Sequence, residues 1–173
     1  MNSILLVSLL IVLPLVLIVV VVLIRSKRNA ARKKNEILKV YREIVSADQL
    51  EISEELILYN KILALDRKNK VFIFLHNHDE PVYDVIHLNG LSGCRIEKKG
   101  TGLANRRQGK AVSEFHVNEI RIYFLSHDSV LANLLLYSEI LDGQPEYLAL
   151  SKVAEDWQRK LSQVMQPADK LVS

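Results

Sequence analysis

The feature that most constrains this chain is an uncharged apolar run near its start. Ile4–Ile24 reads ILLVSLLIVLPLVLIVVVVLI, and Ser8 is its only polar side chain. As an α-helix these 21 residues reach about 31 Å at about 1.5 Å per residue. That matches the hydrocarbon core of a bilayer. A helix apolar on every side has no face to offer water. Pro14 lies mid-run, a position where membrane helices tolerate a lost backbone donor. The competing reading is a cleaved signal peptide. Such a peptide carries basic residues before a shorter apolar stretch and small residues at its end. Nothing basic precedes this run, and Arg25, Lys27 and Arg28 follow it directly. A retained transmembrane helix over residues 4–24 is the expectation.

Charge is distributed unevenly. Residues 25–34 carry six of the 23 Lys+Arg and no acid: Arg25, Lys27, Arg28, Arg32, Lys33 and Lys34. From Asn35 onward 17 basic residues face 20 acidic ones. Positive charge stays on the cytoplasmic side. Residues 1–3 are therefore expected outside, and the rest in the cytosol of a single-pass cell-membrane protein. The basic segment also attracts anionic lipid, at about 1 kcal/mol per residue near the surface. The mildly acidic remainder argues against nucleic acid as a partner, because a binding domain of that kind spreads basic charge over its folded surface. A single cysteine, Cys94, excludes an intramolecular disulfide and a multi-cysteine zinc site, and it suits a reducing compartment.

The remaining chain divides by periodicity. Residues 35–48 place Ile37, Leu38, Tyr41, Ile44 and Val45 on one face of a short amphipathic linker helix. Its stripe must bury against the following domain or against a second copy of the chain. Residues 50–166 begin with short β-branched and aromatic runs. Ile62–Leu65 and Val71–Leu75 flank the turn DRKN as a hairpin. Tyr83–Leu88 and Cys94–Glu97 follow. Phe115–Leu125 alternates, but slips phase at Asn118-Glu119, and its partner is Leu131–Leu141. Six or seven closely spaced strands with no helix between them imply antiparallel meander connections. Pro145 suits the first position of a final helix. Leu150, Val153, Ala154, Trp157, Leu161, Val164 and Met165 recur along it at helical spacing. Residues 167–173 form a tail.

The segment LALSKVAEDWQRKLSQV, Leu148–Val164, with Glu155, Trp157 and Leu161, resembles the closing helix of a pleckstrin-homology-like domain. That resemblance implies a mainly β fold with α: an antiparallel sandwich or barrel capped by a C-terminal amphipathic helix. Trp157, with Val153 and Leu161, would form its structural core. It also implies binding rather than catalysis, of phosphoinositide headgroups or of proteins. Basic residues of the first hairpin, Arg67, Lys68 and Lys70, would stand where that family holds headgroups. The family's arginine further along the second strand has no counterpart in Val71-Phe72-Ile73.

The polar stretch KKGTGLANRRQGK offers Lys98, Lys99, Arg106, Arg107 and Lys110 with no acid between them. Read as a glycine-containing loop, it is a candidate grip for an anionic ligand or a lipid headgroup, because arginine suits bidentate phosphate contact. The plainer reading is a solvated loop. It is neither a dinucleotide fingerprint nor a P-loop, since the third glycine and the GK[ST] close are missing. His76, His78, Asp79 and Glu80 make a small metal candidate, although one short turn rarely supplies a coordination shell. No serine lies in a nucleophile motif, and Ser92-Gly93-Cys94 reads as a strand entry with a buried thiol. No metal, cofactor or catalytic residue is expected.

The expected function is a membrane-anchored cytosolic binding module. Its partners would be the bilayer and either a protein or an anionic surface, with self-association open. The alternatives are an accessory subunit of a membrane complex and, behind it, a small tethered enzyme or metal-binding protein.

Overall fold

The computed structural model describes residues 2–78, 80–107, 110–127 and 129–165. Helix α1 covers Asn2–Ala47 without a break. Seven strands follow: β1 (Glu54–Ile57), β2 (Lys61–Asp66), β3 (Val71–Asn77), β4 (Pro81–His87), β5 (Gly93–Arg107), β6 (Lys110–Ser126) and β7 (Ser129–Ser138). A short helix α2 (Glu139–Asp142) and a 3-10 turn (Gln144–Glu146) lead into α3 (Tyr147–Met165). Helix and strand contents are about equal, so the chain is not mainly β. The long α1 accounts for the difference. The expected break between a transmembrane helix and a linker helix is absent, because Arg, Lys and Ala between them all favour helix and no glycine interrupts.

The strands form two antiparallel sheets, β1-β2-β3-β4 and β5-β6-β7. Among the described residues neither sheet closes on itself, so the fold is not a barrel. The hairpin expected at DRKN is present. Asp66 Oδ1 accepts the Asn69 N–H at 2.8 Å, and Lys70 takes a left-handed φ of 53° to close the turn.

The chain forms two compact units. The first comprises the residues up to Ala64 together with Ile73–Asp84. In it the last turns of α1 are buried at Ile37 and Tyr41. The Tyr41 hydroxyl donates to Glu55 at 2.8 Å. The Lys33 ammonium donates to the His78 carbonyl oxygen, and the Asn77 amide donates to the Lys33 carbonyl at 3.4 Å. Upstream, α1 displays Leu13 and Val16–Ile24, each between 42% and 62% exposed. Among the described residues no helix is long and apolar enough to cross a membrane. The side chains described within residues 4–24 are those of Leu13 and Val16–Ile24 alone.

The second unit comprises Leu65–Phe72 and the chain from Val85 onward. Helix α3 packs on β5, β6 and β7. It buries Leu150, Ala154, Trp157, Leu161 and Val164, while Val153 is half-buried. Trp157 lies 5.4 Å from the Phe72 ring, which lies 5.8 Å from Phe124. Removing such a cluster from water stabilises by roughly 1.5–3 kcal/mol per large side chain. Pro145 sits in the 3-10 turn ahead of α3 rather than at its first position.

Candidate functional site

The stretch expected as a basic loop is a β-hairpin. β5 and β6 pair continuously from Gly93 opposite Leu125 to Arg107 opposite Lys110. β7 pairs with β6 only from Glu119 to Ser126. From Gly100 on β5 and Val117 on β6, the pair therefore continues as a two-stranded arm. At about 3.3 Å per residue its eight-residue strands reach about 25 Å.

A bulge marks the base of the arm. Lys99 stands opposite Glu119 and Gly100 opposite Val117, which leaves Asn118 as the extra residue. The phase slip at Asn118-Glu119 is this bulge: burial passes from Val117 to Ile120, then alternates through Ile122 and Phe124. Gly100 is required there, because a Cβ would lie 2.0 Å from the His116 carbonyl oxygen. Among the described residues the buried Asn118 Oδ1 has no hydrogen-bond partner.

The five basic candidates do not converge. Lys98 sits below the bulge and pairs with Glu155 of α3 at 3.0 Å. Lys98 hydrogen-bonding to Glu155 holds that carboxyl below its ordinary range. Lys99 faces Glu97 at 3.7 Å. Arg106, Arg107 and Lys110 occupy the last two register pairs of the arm, with Arg106 opposite Ala111. Seven residues of strand part Lys99 from Arg106, roughly 23 Å. One anion therefore cannot bridge the two groups.

Beside the base of the arm, His116 Nε2 meets Glu139 Oε1 at 2.8 Å. His116 is half-buried there, and its partner is also partly exposed. α2 and the start of α3 expose Ile140 (94%) and Leu148 (76%), with Glu139, Asp142 and Glu146 around them in sequence. Sequence reasoning missed this patch. Leu141 and Leu148 fit a strand or helix pattern equally well, and only the fold shows that Ile140 and Leu148 face outward.

The remaining candidates behave as structure. Cys94 Sγ contacts the Gln158 carbonyl at 3.6 Å and Ser162 Oγ at 3.7 Å, and burial pushes its thiol pKa up. A thiol held neutral in this way is a poor nucleophile. His76 and His78 lie with ring centroids 5.3 Å apart, and among the described residues no group of three or more His, Cys, Asp or Glu is placed to hold a metal. Asp79 lies outside the described residues. Arg67 and Lys68 are exposed in the β2–β3 turn. On α1, Arg32 pairs with Glu36 at 2.9 Å, while Arg25, Arg28 and Lys34 are exposed.

Compared with family models, with characterised proteins and with solved structures, the chain matches none.

Proposed function

We propose that this chain is a single-pass membrane-anchored module, pleckstrin-homology-like in type, whose cytosolic part binds a protein partner and performs no catalysis. The observation that carries this reading is the continuity of α1. One helix runs from an uncharged 21-residue stretch, through six basic residues, into the buried Ile37–Tyr41 turn. Val16–Ile24 meets solvent on every side of that helix. Exposed apolar surface on this scale is at home in lipid rather than in water. The basic turns then set the cytoplasmic side. A four-plus-three arrangement of strands with a buried tryptophan on the closing helix supports the pleckstrin-homology-like reading. Fold likeness alone transfers no ligand.

A protein partner is favoured over a headgroup because two of the five basic candidates, Lys98 and Lys99, already face carboxylates. Tethering raises the effective concentration of such a partner without high intrinsic affinity. The test is alkaline carbonate extraction of membranes holding the full chain, followed by purification in mild detergent. The chain is expected to stay with the bilayer and to carry a partner in fixed ratio. Release into the carbonate supernatant overturns the anchor. A chain that purifies alone and adsorbs to anionic vesicles in a salt-sensitive way replaces the protein partner with a lipid surface.

A further inference from the structure

The arm of β5 and β6 leaves one edge of β6 without a neighbour strand. Among the described residues β7 ends its pairing at Glu119 opposite Ser138, so the β6 backbone from Lys110 to Asn118 pairs with β5 alone. A two-stranded ribbon is marginal by itself in water, and an open edge is a template for another strand. Arg106, Arg107 and Lys110 stand at the far end of the ribbon. The carboxylates of Glu139, Asp142 and Glu146, with exposed Ile140, lie where the chain leaves the sheet at its near end. The positive tip and the acidic base are thus separated by about the length of the arm.

We infer that the arm is a dimerisation element, in which β6 of one copy pairs antiparallel with β6 of a second copy about a two-fold axis at Ser113. The inference goes beyond the anchoring reading and does not depend on it. Self-complementarity follows from the register. With Ser113 opposite Ser113, Lys110 lies opposite His116 of the second copy, and that histidine already carries Glu139 at 2.8 Å within its own chain. This register sets Lys110 of each copy beside the His116–Glu139 end of the other, twice, as an isologous contact requires. Shifting the axis one residue to Glu114 sets two carboxylates directly opposite each other, an arrangement that destabilises a strand pair. The product is a four-stranded ribbon, β5-β6-β6-β5, in which the open edge is closed.

Cysteine cross-linking of the full chain in detergent or nanodiscs tests this directly. Opposed residues of an antiparallel pair have Cα atoms about 4.5–5.5 Å apart, within the range a disulfide spans. Ser113→Cys is expected to give a covalent dimer under mild oxidation. Leu131→Cys, at a 62% exposed position on β7, is expected to give none beyond background. The double variant Arg107→Glu, Lys110→Glu is expected to weaken self-association at least tenfold by sedimentation or mass photometry, while leaving the folded domain intact by circular dichroism. A chain monomeric at tens of micromolar overturns the inference. So does cross-linking as efficient at residue 131 as at 113, or a charge-reversed arm that dimerises as tightly as before.

Discussion

Two stretches of this chain rich in aliphatic residues have opposite fates. Val16–Ile24 on α1 is exposed at every position, whereas β2 and the first five residues of β3 are buried at every position. Within the second unit, Phe72 of β3 reaches that state by packing against Trp157 and Phe124. The described side chains of Val16–Ile24 have no such cover. The proposed anchor accounts for that exposed surface, since an uncharged length of 21 residues matches the thickness of a bilayer's hydrocarbon core. The contrast separates a stretch buried by folding from one that folding leaves exposed, which the proposed anchor would place in lipid.

Substitutions that put a charge into each stretch break the contrast most sharply. Leu63→Arg, at a position with no exposure, buries an unpaired charge. It is expected to abolish the protease-resistant β domain while leaving the chain in the membrane fraction. Leu17→Arg with Val20→Arg is expected to do the reverse, releasing a folded domain from the membrane. A charge at a membrane helix centre costs about 2.5–3.5 kcal/mol. Trp157→Ala comes next. Loss of the ring against Phe72 should cost about 3–5 kcal/mol, read as a lower denaturant midpoint with membrane attachment unchanged.

Gly100→Val is smaller and more local. A side chain there collides with the His116 backbone. It should lower stability by about 1–3 kcal/mol and expose the arm to proteolysis. Alkaline pH gives a finer effect. Burial raises the Cys94 thiol above its ordinary 9.0. Burial and the Glu55 carboxylate raise the Tyr41 phenol above its ordinary 10.0. In both groups the folded state holds the proton more tightly. Their contribution is therefore complete below about pH 9 and is lost as pH rises through the folded values. Unfolding midpoints measured from pH 7 to 11 should fall above pH 9, and Cys94→Ser should blunt the first part of that fall. The smallest expected effect is that of Lys98→Ala. It breaks an exposed pair with Glu155 and should leave the midpoint unchanged within error.

Much of the β architecture was legible because its signals are local. The DRKN turn, the phase slip at Asn118-Glu119 and the helical spacing around Trp157 each occupy a few residues, and each marks a feature of the fold. The strands on either side of Gln108-Gly109 were not legible. Glycine and arginine have weak strand preference, and what holds Gly100–Arg107 extended is its partner strand, not its own composition. The unbroken α1 is hidden for a similar reason, since the change of polarity at Arg25 suggests a change of element where the helix continues. The basic residues of residues 98–110 read as one cluster in sequence, yet extended backbone spreads them along the arm. Chain spacing of about 3.3 Å per residue, rather than any chemistry of the side chains, decides which of them can act together.

The most direct measurement is the fate of the full chain in membranes washed at alkaline pH and then treated with protease on the cytosolic side. The account expects the chain to sediment with the bilayer and residues beyond the basic turns to be cut only from that side. A polypeptide released by the wash, or one shielded from cytosolic protease in sealed membranes, would contradict it.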